Sequence, residues 1–474
     1  MPSSYYDFAV VGGDLPGVLF GALAAKRGKR VAIIENGEGR SWERLGEHLL
    51  PVSNPWIYGV ESSTLARGVL NDIDVFLQVR NRLMRARPSL QLLGERYRVD
   101  LDEADGLATE LEREFAEAAA SDVDWVQKLL LLDGDLMQVL ERKPVVPPDG
   151  WWSEGRAMSK LVDEFPILKE SFDGSPLDRA TAILPFLKAY YPFFTHTWAS
   201  PLQALPFLRV ARGVLDGLFL VDDDEGDFRN FFLEVVRRKS GLVVQDAQIS
   251  GFDVHRGRIQ EILLRVGKDS VGAETVICNM EPRRFLQLIP PEGQKEKFHQ
   301  HVLMRHPAGY LYPLALRLRS DRFLEAAGNF LLFDPAWTGS PISVHVPRLQ
   351  PSSGTETVLL ATTWVAAADF SAQPAFLERI DKRILDALTR VHPFLGDLTI
   401  ERVRLGFDEG GQVRPQRLAA VYPLVEEKNL GLNDLVLETP YKNCYMASRY
   451  LYGALGFEGA FLGARLLADK LLKS

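Results

Sequence analysis

Apolar residues fall along this chain in short runs punctuated by glycine and proline, and the first run sets the pattern. Tyr6-Asp7-Phe8-Ala9-Val10-Val11 is apolar without alternation, which predicts a strand buried on both faces. It stops at Gly12-Gly13. Val18 to Gly28 then reads as an alanine- and leucine-rich helix, and Arg30-Val31-Ala32-Ile33-Ile34-Glu35 as a second buried strand that ends in an acid. Strand, helix and strand in this order make a βαβ unit.

Further along, Asn36 to Arg44 reads as a polar loop and Leu45 to Val60, with Gly46, His48, Pro51 and Pro55, as irregular. Leu90 to Leu101 predicts a short strand pair around Gly94. Leu101 to Arg142 predicts two helices, with Leu107, Leu111 and Phe115 at helical spacing and a second set from Val123 to Leu131. Pro144, Pro147 and Pro148 break that pattern, and helical periodicity returns between Met158 and Leu187. An aromatic cluster, Tyr190 to Trp198, and an apolar run, Leu202 to Leu208, follow. Such density suits a core and equally the wall of an apolar pocket. The acidic stretch Asp222 to Asp227 precedes a helix predicted over Phe228 to Lys239. A calcium loop begun at Asp222 would need Glu where Leu233 stands, so the acids read as a solvated helix start that complements the dipole. Strand signals recur at 242–244, 248–254, 257–266 and 274–279, then at Leu314–Leu318 and Val358–Thr363, with one clear helix at Pro374–Val391. From Asn443 on come a strand, a glycine-rich turn and a final helix.

The first turn carries chemistry. Gly12-Gly13-Asp14-Leu15-Pro16-Gly17 sits between a strand and a helix, with Glu35 and Asn36 at the end of the next strand. This is the layout of a dinucleotide site. Gly12 allows the tight reversal, Gly17 allows the helix to pack close, the first helical N–H groups face a pyrophosphate, and Glu35 is placed to accept from ribose hydroxyls. Asp14 stands where a glycine usually lets backbone approach the phosphates. Either the phosphates sit differently, with Gly13 supplying the freedom, or the site is weakened.

The 474 residues exceed a single core, so two or more domains are expected. A net charge of -8 argues against a nucleic-acid partner. Cys278 and Cys444 are too few for a disulfide framework or a cysteine zinc site, which suits a reducing cytoplasm. No signal-peptide pattern and no apolar run of about 20 residues is present. The eight histidines show no metalloprotease spacing, and no metal site is expected.

With the strands in order, the chain resembles the flavin amine-oxidase superfamily, and within it the phytoene-desaturase-like branch. Four stretches carry the resemblance: the N-terminal βαβ unit with Glu35; Leu111-Glu112-Arg113-Glu114-Phe115; the segment from Gly213 through Ser240-Gly241 to Glu274-Thr275-Val276-Ile277-Cys278-Asn279-Met280-Glu281-Pro282; and Asn443-Cys444-Tyr445-Met446-Ala447-Ser448-Arg449-Tyr450 with Ala454-Leu455-Gly456-Phe457-Glu458-Gly459-Ala460. It implies an α/β fold: a Rossmann-like, discontinuous FAD-binding domain (1–70, 210–285 and 440–474) plus a mixed-sheet α+β substrate domain (71–209 and 286–439). It implies FAD as cofactor and hydride transfer from an apolar, isoprenoid-like small molecule, with Ser448, Arg449, Gly456, Phe457, Glu458, Gly459 and Ala460 near the flavin. Ser448 replaces a glycine usual in that motif; its hydroxyl could still bond there, and Arg449 could offset phosphate charge. The helix starting at Gly459-Ala460 would aim N–H groups at a flavin carbonyl.

His196 is the one catalytic candidate, although a histidine in an apolar stretch is more often a satisfied core residue. Tyr191, Phe194 and Trp198 are the substrate-wall candidates, expected to line a tunnel ending near Gly456 and Gly459. A peripheral membrane contact and a protein partner stay open. The alternative function is a non-catalytic binding protein of the same fold, akin to those that shield prenylated partners, since fold does not fix function.

Overall fold

The computed structural model describes residues 4–36, 42–45, 48–51, 56–102, 104–116, 119–141, 160, 162–169, 182–200, 202–222, 227–265, 270–319, 328–347, 356–406, 418–424, 432 and 437–472. In chain order the strands are β1 (Ser4–Val11), β2 (Val31–Asn36), β3 (Trp42–Leu45), β4 (His48–Pro51), β5 (Ile57–Tyr58), β6 (Leu83–Arg85), β7 (Leu90–Leu93), β8 (Arg98–Leu101), β9 (Thr197–Trp198), β10 (Leu218–Val221), β11 (Leu242–Ala247), β12 (Ile249–His255), β13 (Arg258–Leu264), β14 (Ser270–Cys278), β15 (Gly309–Leu318), β16 (Phe330–Phe333), β17 (Ile342–His345), β18 (Thr357–Ala366), β19 (Thr399–Arg404), β20 (Ala419–Pro423) and β21 (Cys444–Met446).

β1 lies at the centre of the first sheet because its apolar half, Phe8 to Val11, is buried on both faces. It pairs in parallel with β2 on one side and β14 on the other, and the order runs β11-β2-β1-β14-β13-β12. β14 divides its outer edge. Its first half takes β13 antiparallel at Val271 and Gly272, and its second half takes β21 in parallel at Val276 to Cys278. The helix Leu15–Lys26, buried from Pro16 to Ala25, packs on this sheet and against the C-terminal helix Phe457–Leu471.

The second sheet runs β8-β7-β16-β17-β18-β15-β20-β9, with β19 also on β15. One face, including Tyr312, Leu314, Leu331, Val344 and Ala361, packs under the helix Pro374–Val391. The opposite face, including Leu311, Phe330 and Leu332, joins the same core as the first helix and the C-terminal helix. The two sheets thus share an apolar interior, in the mixed α/β arrangement that the resemblance implied.

Several elements differ from the sequence reading. The end of the stretch read as a polar loop and part of the stretch read as irregular form the β3–β4 hairpin and β5, which pairs with β10. These strands are too short to show a period. The aromatic cluster is the end of a helix, Ile183–Thr195, with Pro192 inside it and ten of its residues buried. The apolar run after it opens another helix, Ala204–Leu215. Much of the span from Met158 to Leu187 lies outside the described residues; within it are the turn Pro166–Lys169 and the start of the helix at Ile183. Helices Thr64–Asp72 and Phe76–Arg82 add to the pattern.

A buried ion pair joins three of these helices. Arg209, 2% exposed, gives Nη2 and Nε to the two oxygens of Glu458, 6% exposed, at 2.7 and 3.0 Å, and Ser63 Oγ donates to Glu458 at 2.5 Å. Arg209 also bonds Asp133. We expect Glu458→Met, which leaves the guanidinium Asp133 as its remaining carboxylate, to cost about 3 kcal/mol in urea unfolding, the lower end for a broken buried pair. The double variant Arg209→Met, Glu458→Met should recover most of the loss; a single variant as stable as the parent would refute this joint.

His345 on β17 is 3% exposed, and burial pushes its ring from 6.5 down to about 3. Above pH 6.5 folded and unfolded chains both hold it neutral; between 6.5 and about 3 only the unfolded chain takes the proton. Stability should therefore fall with pH, by about 2 kcal/mol for this group at pH 5. Comparing unfolding at pH 7 and pH 5 should show a flatter dependence in His345→Phe, and an identical one would exclude a neutral buried ring.

Candidate functional site

The turn after β1 is held by one side chain from the neighbouring strand. Gly12 has φ +113, and a Cβ there would lie 2.1 Å from the carbonyl oxygen of Asn279, just past β14. The Asn279 side chain accepts from Gly17 N–H at 3.0 Å and donates to the carbonyls of Gly12 at 3.0 Å and Asp14 at 2.6 Å. Gly17 is needed for this contact, since its Cβ would fall 2.3 Å from the Asn279 amide carbon. Of the first three helical positions, Pro16 has no N–H and Gly17 is committed to Asn279, which leaves the N–H of Leu15 for an incoming anion.

Two guanidinium groups reach the same turn. Arg229 Nη1 donates to the Gly13 carbonyl at 2.8 Å and to Glu35 at 3.0 Å, while its Nε and Nη2 hold Asp227. Gly13 leaves room for this, because a Cβ there would meet Arg229 Nη1 at 2.7 Å. Arg449 donates to Asp14 through Nη2 at 2.7 Å, Nε at 3.0 Å and its backbone N–H at 3.3 Å. Burial works against the charge on Arg229, and Asp227, Glu35 and Asp14 outweigh it, raising its pKa. Arg449 is likewise raised, with Asp14 as the chief favourable partner against burial. Burial raises the Glu35 carboxyl, although Arg229 opposes that. Asn36 closes β2 beside Ala247.

These partners change two sequence readings. Asp14 is the acceptor that holds Arg449, so its charge is matched by the protein before any phosphate arrives. Asp227, read as part of a solvated helix start, is 8% exposed and anchors Arg229; residues 223–226 of that acidic run lie outside the described residues.

The second turn differs more from expectation. Ser448 is buried, and its Oγ accepts from Tyr450 N–H at 3.3 Å. Gly456 has φ 56 and ψ −125, a conformation essentially confined to glycine. Its missing Cβ makes room for Tyr58, whose hydroxyl oxygen would be 1.9 Å away, and for the Phe194 carbonyl at 2.6 Å. The helix expected to start at Gly459-Ala460 begins at Phe457, and the Phe457 N–H donates to the Tyr58 hydroxyl at 3.1 Å. Gly459 lies against the Tyr452 carbonyl, 2.0 Å from its would-be Cβ. Glu458 is taken by Arg209 and Ser63, and Ala460 is buried in the helix core. Both glycines therefore serve packing within the chain, and Glu458 is a structural partner where a cofactor contact was expected.

The aromatic candidates divide. The Tyr191 hydroxyl donates to the Ala454 carbonyl at 2.6 Å, next to the second turn. Phe194 is buried, with Trp56 4.8 Å and Tyr58 6.1 Å away between ring centres. Trp198 is 39% exposed and stacks on Trp364 at 4.9 Å, so it lies at the outer rim rather than deep beside Gly456. His196 ends its helix at φ 54, and burial and the nearby Arg449 push its ring down to about 3. It is neutral at physiological pH and too weak a base to be poised for proton transfer there. Its Nδ1 and the Tyr452 hydroxyl are enclosed without a hydrogen-bond partner among the described residues. Arg229, Asn279, Tyr58 and Tyr452 were not singled out from sequence. Asn279 lay inside a quoted motif, but nothing in the sequence showed that it reaches back to the first turn.

Among the described residues no helix is long and apolar enough to cross a membrane, and no group of His, Cys, Asp and Glu could hold a metal ion. No family model matches the chain, and no curated protein matches it. Solved structures do. An oxidoreductase from Methanosarcina mazei is 13% identical, with 98% of this chain and 99% of that one covered at a TM-score of 0.61. Wild-type putrescine oxidase bound to putrescine is 14% identical, with 99% of each chain covered at 0.61. Cyclohexylamine oxidase from Brevibacterium oxydans is 14% identical, with 99% of this chain and 100% of that one covered at 0.56. The chain has the fold of these proteins over 98–99% of its length.

The pairing of Asp14 with Arg449 gives a direct expectation. Asp14→Gly should free the guanidinium and remove a charge from the turn, raising affinity for added FAD about tenfold, the scale of one charge-assisted hydrogen bond. The gain should shrink in high salt. A large loss of binding in fluorescence titration would mean that Asp14 helps to build the site.

Proposed function

We propose that the protein is an FAD-dependent oxidoreductase acting on an apolar small molecule. The observation that carries the reading is the convergence of the Gly12–Gly13 turn, Glu35, Arg229 and Arg449 at the N-terminus of a buried helix, at the carboxyl ends of parallel strands. Ligands of open α/β sheets bind at such a place.

The residues fit the cofactor at this end. The Leu15 N–H, Arg229 and Arg449 would hold the diphosphate, and Glu35 would accept from the ribose. The partnerless Tyr452 hydroxyl and His196 Nδ1 leave hydrogen-bonding capacity beside the second turn. Arg449 would turn from Asp14 to the phosphate, a swap between two anionic acceptors. When bound, FAD would supply a two-electron acceptor for a hydride leaving the substrate. The chain's part is to bind, to exclude water with Trp56, Phe194 and Phe330, and to position the reacting carbon, which must lie about 3–3.5 Å from its acceptor. The motifs shared with the phytoene-desaturase-like branch and these aromatic walls favour an extended, isoprenoid-like substrate.

A second reading rests on a specific observation. The Tyr58 hydroxyl already satisfies the Phe457 N–H, and Asp14 already satisfies Arg449. A chain that keeps these bonds would be a binding protein of the same fold without flavin.

The visible spectrum of the purified protein, before and after incubation with FAD, separates the two. Flavin bands that survive desalting support the oxidoreductase; a protein colourless in both samples supports the binding protein. Glu35→Ala should weaken FAD at least about tenfold, since a charge-assisted hydrogen bond is worth about 1.5–3 kcal/mol. Unchanged affinity would remove Glu35 from the site.

A further inference from the structure

The face of the second sheet that meets the first helix and the C-terminal helix is apolar except at a few positions. Phe330 and Leu332 of β16, Leu360 of β18 and Ala315 of β15 are fully buried on it, and Leu50 of β4 packs against Ala315 and Leu360. His345 and Thr362 stand on the same face. β17 pairs with β18 so that His345 faces Leu360 and Ser343 faces Thr362. His345 and Thr362 are therefore diagonal neighbours, about 7–8 Å apart and within reach of one small group.

Both are almost wholly buried, at 3% and 1% exposure, and neither side chain has a hydrogen-bond partner among the described residues. His345 Nδ1, His345 Nε2 and Thr362 Oγ1 lack any hydrogen bond, and Trp364, two residues further along β18, has an unpartnered indole N–H. A buried hydroxyl or imidazole without a partner costs about 1–3 kcal/mol, so three such atoms on two adjacent strands call for a ligand. The surroundings indicate its character. The His345 ring stacks on Phe330 at 4.7 Å and 10°, and Phe330 lies 5.4 Å from Trp56, which meets Phe194 at 4.8 Å. The described neighbours of His345 across β16 and β18, Phe330 and Leu360, carry no charge, so nothing there would compensate an ammonium group.

We infer that this face is a binding site for a neutral hydroxyl or carbonyl group on an otherwise apolar, ring-bearing molecule, with His345 and Thr362 as its polar contacts. A neutral imidazole offers one donor and one acceptor and a threonine hydroxyl offers both, which matches such a group and not a cation. The site takes from the proposed function only that a ligand enters between the two sheets; it does not require that flavin bind. It separates this chain from its amine-oxidase neighbours in fold by the charge of what it would accept.

Equilibrium dialysis with three probes of one skeleton tests it: 2-naphthol, naphthalene and 1-naphthylmethylamine at pH 7, on the full chain with and without FAD. 2-Naphthol should bind at least about tenfold more tightly than naphthalene, the value of one net hydrogen bond, and the amine more weakly than either. Thr362→Val, which keeps shape, and His345→Phe should each lower the naphthol-to-naphthalene ratio towards one while leaving naphthalene unchanged. That ratio is insensitive to a partly unfolded sample. Equal binding of naphthol and naphthalene, a preference for the amine, no binding of naphthol, or an unchanged ratio in both variants would overturn the inference, the last two meaning that ordered water alone satisfies these atoms. Failure of FAD to bind would leave the ratio intact and count against the flavin reading only.

Discussion

The contact between Gly12 and Asn279 is the constraint on which the site depends. A strand at the centre of a parallel sheet must reverse into its helix within a few residues, and here it does so pressed against the end of the adjacent strand. Asn279 then uses its carbonyl oxygen and its amide group to hold both ends of the turn. The order of the sheet follows from the same contact, because β14 must lie beside β1 for Asn279 to reach. β21 extends that edge and carries the chain directly into Ser448 and Arg449, which is how the last motif of the sequence comes to lie on the first.

Around this latch the charges are balanced internally. Three carboxylates, Asp14, Glu35 and Asp227, meet two guanidinium groups, Arg229 and Arg449. Taking such groups from water is costly unless they are paired, and each has a partner in the chain. Beyond the Leu15 N–H, an anionic ligand can engage these charges only by replacing a carboxylate as the acceptor of a guanidinium. Affinity for the proposed cofactor at this corner would therefore be a difference between two similar interactions, and single charges should control it strongly.

The second sheet has a different role. Its outer face is closed by the helix Pro374–Val391, and its inner face is apolar and meets the core of the first sheet. Aromatic rings from distant parts of the chain, Trp56, Tyr58, Phe194 and Phe330, meet there in edge and tilted contacts. They bridge the second turn and the inner face of the sheet, so that the proposed cofactor end and the unpartnered His345 and Thr362 share one apolar interior.

The local elements were legible wherever a period or a turn signal existed. The βαβ unit, the strand pair around Gly94, the strands from 242 to 279 and the helix Pro374–Val391 each declare themselves within a dozen or so residues, because glycine breaks and apolar spacing act locally. The need for glycine at positions 12 and 17 was legible for the same reason. The partners were not. Whether Asp14 repels a phosphate or holds Arg449, whether Gly456 faces a flavin or Tyr58, and whether Glu458 meets a ligand or Arg209 are questions about residues hundreds of positions apart. The aromatic cluster likewise showed its hydrophobicity in sequence but not its division into a buried Phe194 and a rim-exposed Trp198. Sequence by itself determined the layers and the glycine turns, since these follow from the backbone preferences and burial of neighbouring residues; only the tertiary structure decided which charges and hydroxyls meet, since hydrogen bonds and ion pairs depend on distances that chain order does not set.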